Sequence, residues 1–274
     1  MIALVLRVDA DQMELAADAL WSLGVVAVEE RVVDDGIELW TSLGDDAAVV
    51  RAAAEGFDES WNWRMETVDE TVADTWRAHA MPTWIDDDLV VVPAWLPDDA
   101  LGDVATAITL RIEPGSTFGL GDHPTTILSL LAVKDVVRRR FGCSVLDVGC
   151  GSGVLAVAAV RLGAATAYAI DISPASLAIT AANAAANSVA AEVTVSNVPL
   201  AEVEGRFDVV VANILAPTLV ELSPDLIRVL AEGGALIVSG ILADRHDHVV
   251  AALAPLRVIH RQVRDGWAAL TLQR

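Results

Sequence analysis

The chain has 274 residues, 54% of them hydrophobic, enough to bury one large core and a smaller one. Its formal net charge of −21 argues against nucleic acid as a direct partner, because tracking phosphates takes clustered Lys and Arg. Only two cysteines, no apolar run near the roughly 18 residues of a spanning helix, and no signal peptide at 1–7 exclude a disulfide scaffold, a zinc cluster and a membrane protein.

Residues 1–68 read as a small α+β unit. Positions 2–8 alternate like a strand, and 11–23 form an amphipathic helix behind an Asp cap. Strands follow at 25–33 and 37–41, joined by Asp34-Asp35-Gly36, then a helix at 45–55 and a strand at 61–68. The order β-α-β-β-α-β is that of a ferredoxin-like domain. Residues 69–112 read as a linker, with a helix at 72–80 and strands at 89–92 and 107–112 around a Pro- and Asp-rich loop. Residues 113–274 form the main domain. A loop and a helix at 127–139 lead into strands at 145–148, 166–171, 191–195, 207–212 and 234–239. Helices at 153–162, 174–187, 217–230 and 243–253 alternate with them. Such alternation implies an α/β fold with a doubly wound, mostly parallel sheet. Strands at 256–263 and 267–272 have only Asp265-Gly266 between them, so they close the sheet as an antiparallel hairpin. Arg138-Arg139-Arg140 ends its helix where cations suit the dipole. Lys134 is the only lysine, and acidic residues are spread along the whole chain, which fits a compositional bias better than a surface for one basic partner. A cytoplasmic location is expected.

The stretch Asp147-Val148-Gly149-Cys150-Gly151-Ser152-Gly153 follows an apolar strand and precedes a helix. Glycines at alternate positions let backbone approach a ligand where the strand turns. Asp171 stands 22 residues after Gly149, at the end of the next strand, where a carboxylate can accept hydrogen bonds from a ribose. A dinucleotide fingerprint would put its third glycine at position 154, which is Val154. The spacing present, acid-x-Gly-x-Gly-x-Gly, resembles the first motif of S-adenosylmethionine-dependent methyltransferases. Asp147 near the turn suits that cofactor's ammonium and would repel a phosphate. A dehydrogenase, or glycines that merely pack, remain the alternatives at this point.

Two further stretches point into the same crevice. The strand at 207–212 ends in Asn213, beyond a carboxyl end where open α/β sheets bind ligands. An Asn there can accept from an amine and hold its lone pair toward a methyl carbon; the competing role is a cap for the helix near Pro217. The loop from Gly115 to Thr126 precedes a helix and could fold over the cofactor. Its Thr125 and Thr126 sit where capping hydroxyls would, and Thr126 is also a candidate cofactor contact. His123, before Pro124, suits a structural role better than that of a base.

With these stretches in hand, the chain resembles the ribosomal protein L11 methyltransferase family. The resemblance rests on Phe118 to Thr126, Val145 to Ala156, Ala169-Ile170-Asp171-Ile172-Ser173-Pro174, Val211-Ala212-Asn213-Ile214-Leu215-Ala216 and Ser239 to Ala243. Trp76-Arg77 and Val92-Pro93-Ala94-Trp95 also match. It is strong over 72–272 and lies mainly in the order of elements over 1–68. It implies S-adenosyl-L-methionine as cofactor, held by Thr126, Gly149, Asp171 and Asn213. It also implies ribosomal protein L11 as substrate and the N-terminal unit as the part that holds it. Leu120 and Asp122 depart from the family's loop, which carries threonines there. The glycine turn adds Asp147 and Gly151 to the cofactor set, and Asn213 is the candidate catalytic residue that orients an amine. A small-molecule methyltransferase and a non-catalytic cofactor-binding module are the alternative functions.

Overall fold

Alternation in the first strand puts Leu4, Leu6 and Val8 on one buried face, and this row seeds the N-terminal core. The computed structural model describes residues 2–9, 12–23, 25, 28–33, 36–43, 46–58, 60–67, 80–97, 107–114 and 121–274. The chain divides into two units, Met1–Ala80 and Met81–Arg274.

In the first unit the elements are β1 (Ile2–Val8), α1 (Met13–Ser22), β2 (Glu29–Val33), β3 (Gly36–Ser42), α2 (Ala47–Ala54) and β4 (Asn62–Thr67). The strands lie in the order β2-β3-β1-β4, every pair antiparallel, so β1 is central and most buried. Ala16 and Leu20 of α1 and Val50 and Ala54 of α2 cover one face of the sheet, joined by Leu39 and Trp61. Asp46 caps α2 by accepting from Ala48 N at 2.8 Å.

The second unit begins with a three-stranded sheet: β5 (Thr83–Asp86), β6 (Leu89–Pro93) and β7 (Ile108–Ile112). β5 pairs antiparallel and β7 parallel to β6. Four residues with a register shift are too few for alternation to announce β5. These strands, read from sequence as part of a linker, belong to the larger unit. Residues 72–79 of the expected linker helix, with Trp76 and Arg77, lie outside the described residues.

The remaining elements are α3 (Pro124–Arg139), β8 (Ser144–Val148), α4 (Val154–Arg161), β9 (Thr166–Ile170), α5 (Pro174–Ala186) and β10 (Val193–Ser196). After them come β11 (Phe207–Asn213), α6 (Ala216–Arg228), β12 (Leu230–Leu242), α7 (Asp247–Ala252), β13 (Arg257–Arg264) and β14 (Trp267–Gln273). The sheet order is β10-β9-β8-β11-β12-β14-β13, parallel from β10 to β12 and antiparallel at β14 and β13. The doubly wound sheet with a terminal hairpin is therefore present. Asp265 and Gly266 turn the hairpin with φ of 49° and 79°, the left-handed pair that a two-residue loop requires. Alternate residues feed two cores: Val145, Val209, Val211 and Ile237 meet α3 and α4, while Leu146, Val210, Leu236 and Val238 meet α6 and α7.

α3 starts three residues earlier than its apolar pattern suggested. Lys134 ion-pairs with Asp86 and Asp88, and Arg138 reaches Asp88 at 2.7 Å, so the β5–β6 hairpin is pinned to α3. No described helix is long and apolar enough to cross a membrane.

Candidate cofactor site

β9, β8 and β11 run side by side and end together, Ile170 beside Val148 and Val148 beside Ala212. The next residue along each strand, Asp171, Gly149 and Asn213, is thereby delivered to one crevice at the carboxyl edge of the sheet. Ile214, after Asn213, closes against the glycine turn. A Cβ on Gly149, whose φ is +72°, would lie 2.5 Å from Ile214 Cγ2. Only glycine permits that approach.

The turn's hydrogen bonds discriminate between cofactors. Gly149 N and Cys150 N both donate to Ile170 O, at 2.9 and 3.1 Å, and Gly153 N donates to Cys150 O at 2.7 Å. Gly151 N donates to Asp171 Oδ2 at 2.9 Å. A phosphate-binding turn aims such N–H groups outward at its anion. Here they are engaged within the protein, which suits an uncharged sugar or a cation and gives a pyrophosphate little to bind. Asp171 Oδ1 also accepts from Ser173 N at 2.8 Å. Each carboxylate oxygen thus keeps a lone pair for a ribose hydroxyl, on a half-buried side chain with fixed orientation. Ile172 follows it and is 92% exposed, an apolar side chain at the crevice end of β9 that pattern reading passed over.

Asn213 is half-buried, and its side-chain amide has no hydrogen-bond partner among the described residues. It does not cap α6, whose N-cap is Leu215 without a side-chain bond. The capping role weighed against it is gone, and among the described residues its amide stands without a hydrogen-bond partner at the end of β11.

Two expectations need correction. Asp147 does not stand beside the turn as a counter-charge. It is 0% exposed and lies beneath, with Oδ2 accepting from Ala156 N at 3.1 Å and Oδ1 unpartnered. Strand alternation turns Asp147 into the same core as Val145, and desolvation pushes its carboxyl up to about 7. Nor do the two threonines cap α3. His123 does, its Nδ1 accepting from Thr125 N at 3.3 Å, with Thr125 Oγ1 2.7 Å away and Trp267 edge-on at 5.4 Å. Burial lowers the His123 pKa against the opposing pull of Asp122, which favours the neutral ring this cap needs. Thr126 instead sits in the first turn of α3, fully buried, its Oγ1 without a partner. Leu120 lies outside the described residues; Asp122 is exposed.

Residues without a motif complete the arrangement. Ser239, opposite Asn213 on β12, donates to Ala268 O at 3.1 Å and Thr125 O at 3.4 Å, holding the start of α3 at the strand ends. Thr180 Oγ1 donates to Gly151 O at 3.1 Å, and Asn183 Nδ2 to Ser152 O at 2.8 Å. Burial raises both cysteine thiols, so neither Cys143 nor Cys150 is a ready nucleophile.

S-adenosylmethionine fits these residues. The glycine cradle lacks side chains where a nucleoside must lie, Asp171 offers lone pairs to its sugar, and the turn's engaged N–H groups ask for no phosphate. Comparison with known proteins agrees. The family profile described as Ribosomal protein L11 methyltransferase (PrmA) matches residues 5–274. The Ribosomal protein L11 methyltransferase of Pelobacter propionicus is 39% identical over 215 residues, 75% of this chain and 67% of that protein. That of Geobacter sulfurreducens is 46% identical over 183 residues, 66% of this chain and 58% of the relative. The crystal structure of ribosomal protein L11 methylase from Lactobacillus delbrueckii subsp. bulgaricus superposes with a TM-score of 0.64 at 33% identity. That likeness covers 71% of this chain and 98% of the other. With a profile match over nearly the whole chain and a glycine turn shaped for a nucleoside without phosphate, the chain belongs to the ribosomal protein L11 methyltransferase family of S-adenosylmethionine-dependent enzymes.

Proposed function

We propose that this methyltransferase transfers methyl groups to lysine or α-amino groups of ribosomal protein L11. The observation that carries the reading is Asn213: an amide without a partner among the described residues, at the end of β11, one strand from the glycine turn. S-adenosylmethionine supplies an already activated methyl on a sulfonium, so the chain's own task is position and exclusion of water. Gly149 and Gly151 let backbone lie against the nucleoside, and Asp171 accepts from its ribose. Ile172 offers the adenine an apolar face, and Thr126 contributes a hydroxyl from α3. Asp147, sealed beneath the turn, braces it by accepting from Ala156 N.

Asn213 Oδ1 accepts a hydrogen bond from the incoming amine and aims its lone pair along the line of displacement. That amine must arrive neutral. Lowering a lysine from about 10.4 to about 7.4 corresponds to roughly 4 kcal/mol, which burial away from acidic partners can supply. No described residue stands at the site as a dedicated base, and water can take the proton. The N-terminal four-stranded unit, which has its own core, recognises the protein substrate. A ribosomal-protein substrate also places the reaction in the cytoplasm.

The test is incubation of the enzyme with radiolabelled cofactor and purified L11, followed by mass spectrometry of the product. Label on L11 amines is the expected result; label confined to small molecules in a cell extract would refute the protein substrate. Asn213→Ala should lower kcat by on the order of tenfold to a hundredfold while affinity for S-adenosylhomocysteine changes little. Equal losses in both would reduce Asn213 to a cofactor contact.

A further inference from the structure

α5 has an inverted pattern. Its exposed positions include Ala175, Ala178, Ala181, Ala182, Ala185 and Ala186, whereas Ser176, Thr180, Asn183 and, at its C-cap, Asn187 are buried. Thr180, Asn183 and Asn187 are 0%, 1% and 3% exposed. Buried polar side chains are costly unless their hydrogen bonds are made. For Thr180, Asn183 and Asn187 they are made to backbone. Asn187 accepts from Arg111 N at 2.9 Å and donates to Arg111 O at 2.7 Å. Asn183 accepts from Glu113 N at 2.9 Å and donates to Glu113 O at 2.8 Å. The two amides replace a neighbouring strand along the edge of β7 that β6 leaves open.

Closing that edge does not account for everything Asn183 does. Its Nδ2 also donates to Ser152 O at 2.8 Å, and Thr180, one turn earlier, donates to Gly151 O at 3.1 Å. A Cβ on Gly153 would meet Thr180 at 2.5 Å, so the turn is pressed directly against this helix. The carbonyls of Gly151 and Ser152 are thus tied to α5, and the N–H groups of Gly149, Cys150 and Gly151 to the end of β9.

We infer that Asn183, assisted by Thr180, is a positioning residue for cofactor binding: it locks the glycine turn to α5 and to the end of β7. It touches no cofactor atom itself. It fixes the peptide planes on which the nucleoside rests, so that no rearrangement precedes binding. The inference rests on the cofactor site described above.

Asn187 provides an internal control, because it clamps β7 in the same way without reaching the turn. Asn183→Ala and Asn187→Ala should lower the melting temperature by similar amounts. Calorimetry with S-adenosylhomocysteine should show at least a tenfold weaker Kd for Asn183→Ala and less than a twofold change for Asn187→Ala. KM for S-adenosylmethionine should rise with Kd, while KM for L11 stays put. Thr180→Val keeps the volume of the side chain and removes the hydroxyl's bonds to the turn, to Gly151 O and to Cys150 Sγ. It should weaken Kd about threefold to tenfold even if Asn183→Ala does not fold. Wild-type affinity in both the Asn183 and Thr180 variants, or an equal loss in Asn187→Ala, would overturn the inference. No binding by the wild-type enzyme would overturn the cofactor site and this inference with it.

Discussion

Two aspartates 24 positions apart in the chain have opposite tasks, and burial alone separates them. Asp171 is half-buried and accepts from Gly151 N and Ser173 N, so it stays oriented with lone pairs to spare. Asp171→Ala should weaken S-adenosylhomocysteine binding by about 1.5–3 kcal/mol in calorimetry, the scale of a charge-assisted hydrogen bond. Asp171→Asn, which keeps the acceptor oxygen, should lose less. Asp147 is sealed in an apolar core, and its folded pKa of about 7 lies above the ordinary carboxylate value. Folding therefore takes up a proton between about pH 4 and 7, so this group's stabilising effect is complete below that window and is lost as pH rises through it. The difference is roughly 4 kcal/mol across the window. Asp147→Asn should make the melting temperature of the cofactor-free protein fall less between pH 4 and 8 than the wild type's. Parallel curves would mean that the carboxyl is ionised in the fold.

Elements place these residues through their ends more than through their lengths. The start of α3, with Thr126 in its first turn, is fixed because His123 caps it, and the β5–β6 hairpin holds its far half through Lys134. The carboxyl of Asp88, paired with Lys134 and then Arg138, is held well below its usual range, so its contribution is present at neutral pH and lost on acidification. Both Asp86 and Asp88 are partly exposed, which limits the effect. Lys134→Met should cost about 1 kcal/mol in urea denaturation at low salt, and less at high salt as screening weakens the pairs. α5 teaches the complementary lesson. Its outward alanines and inward Ser, Thr and Asn give a hydropathy pattern that points the wrong way, because much of its buried face binds backbone while Ala184 joins the apolar core.

At the scale of the molecule, the chain forms two units with separate cores. The glycine turn, Asp171, Asn213 and Thr126 all belong to Met81–Arg274. A variant lacking residues 1–80 should bind S-adenosylhomocysteine with affinity within about threefold of the intact chain, yet fail to methylate L11. Loss of both properties would show that the larger unit depends on the smaller one for its fold. Measuring the two on the same preparation separates recognition from catalysis.

Periodicity and spacing were enough for the doubly wound sheet, its terminal hairpin and the glycine turn with Asp171, because strand alternation, helix periodicity and positive-φ glycines are local properties. Asn213 was legible for the same reason: it ends an apolar strand, and in a parallel sheet every such end points the same way. What no local pattern carried was the side of the sheet on which Asp147 is buried, the cap at His123, the short strand β5 and the polar stripe of α5. Those depend on which backbone groups distant segments leave unpaired, and only the assembled sheets and helices determine that.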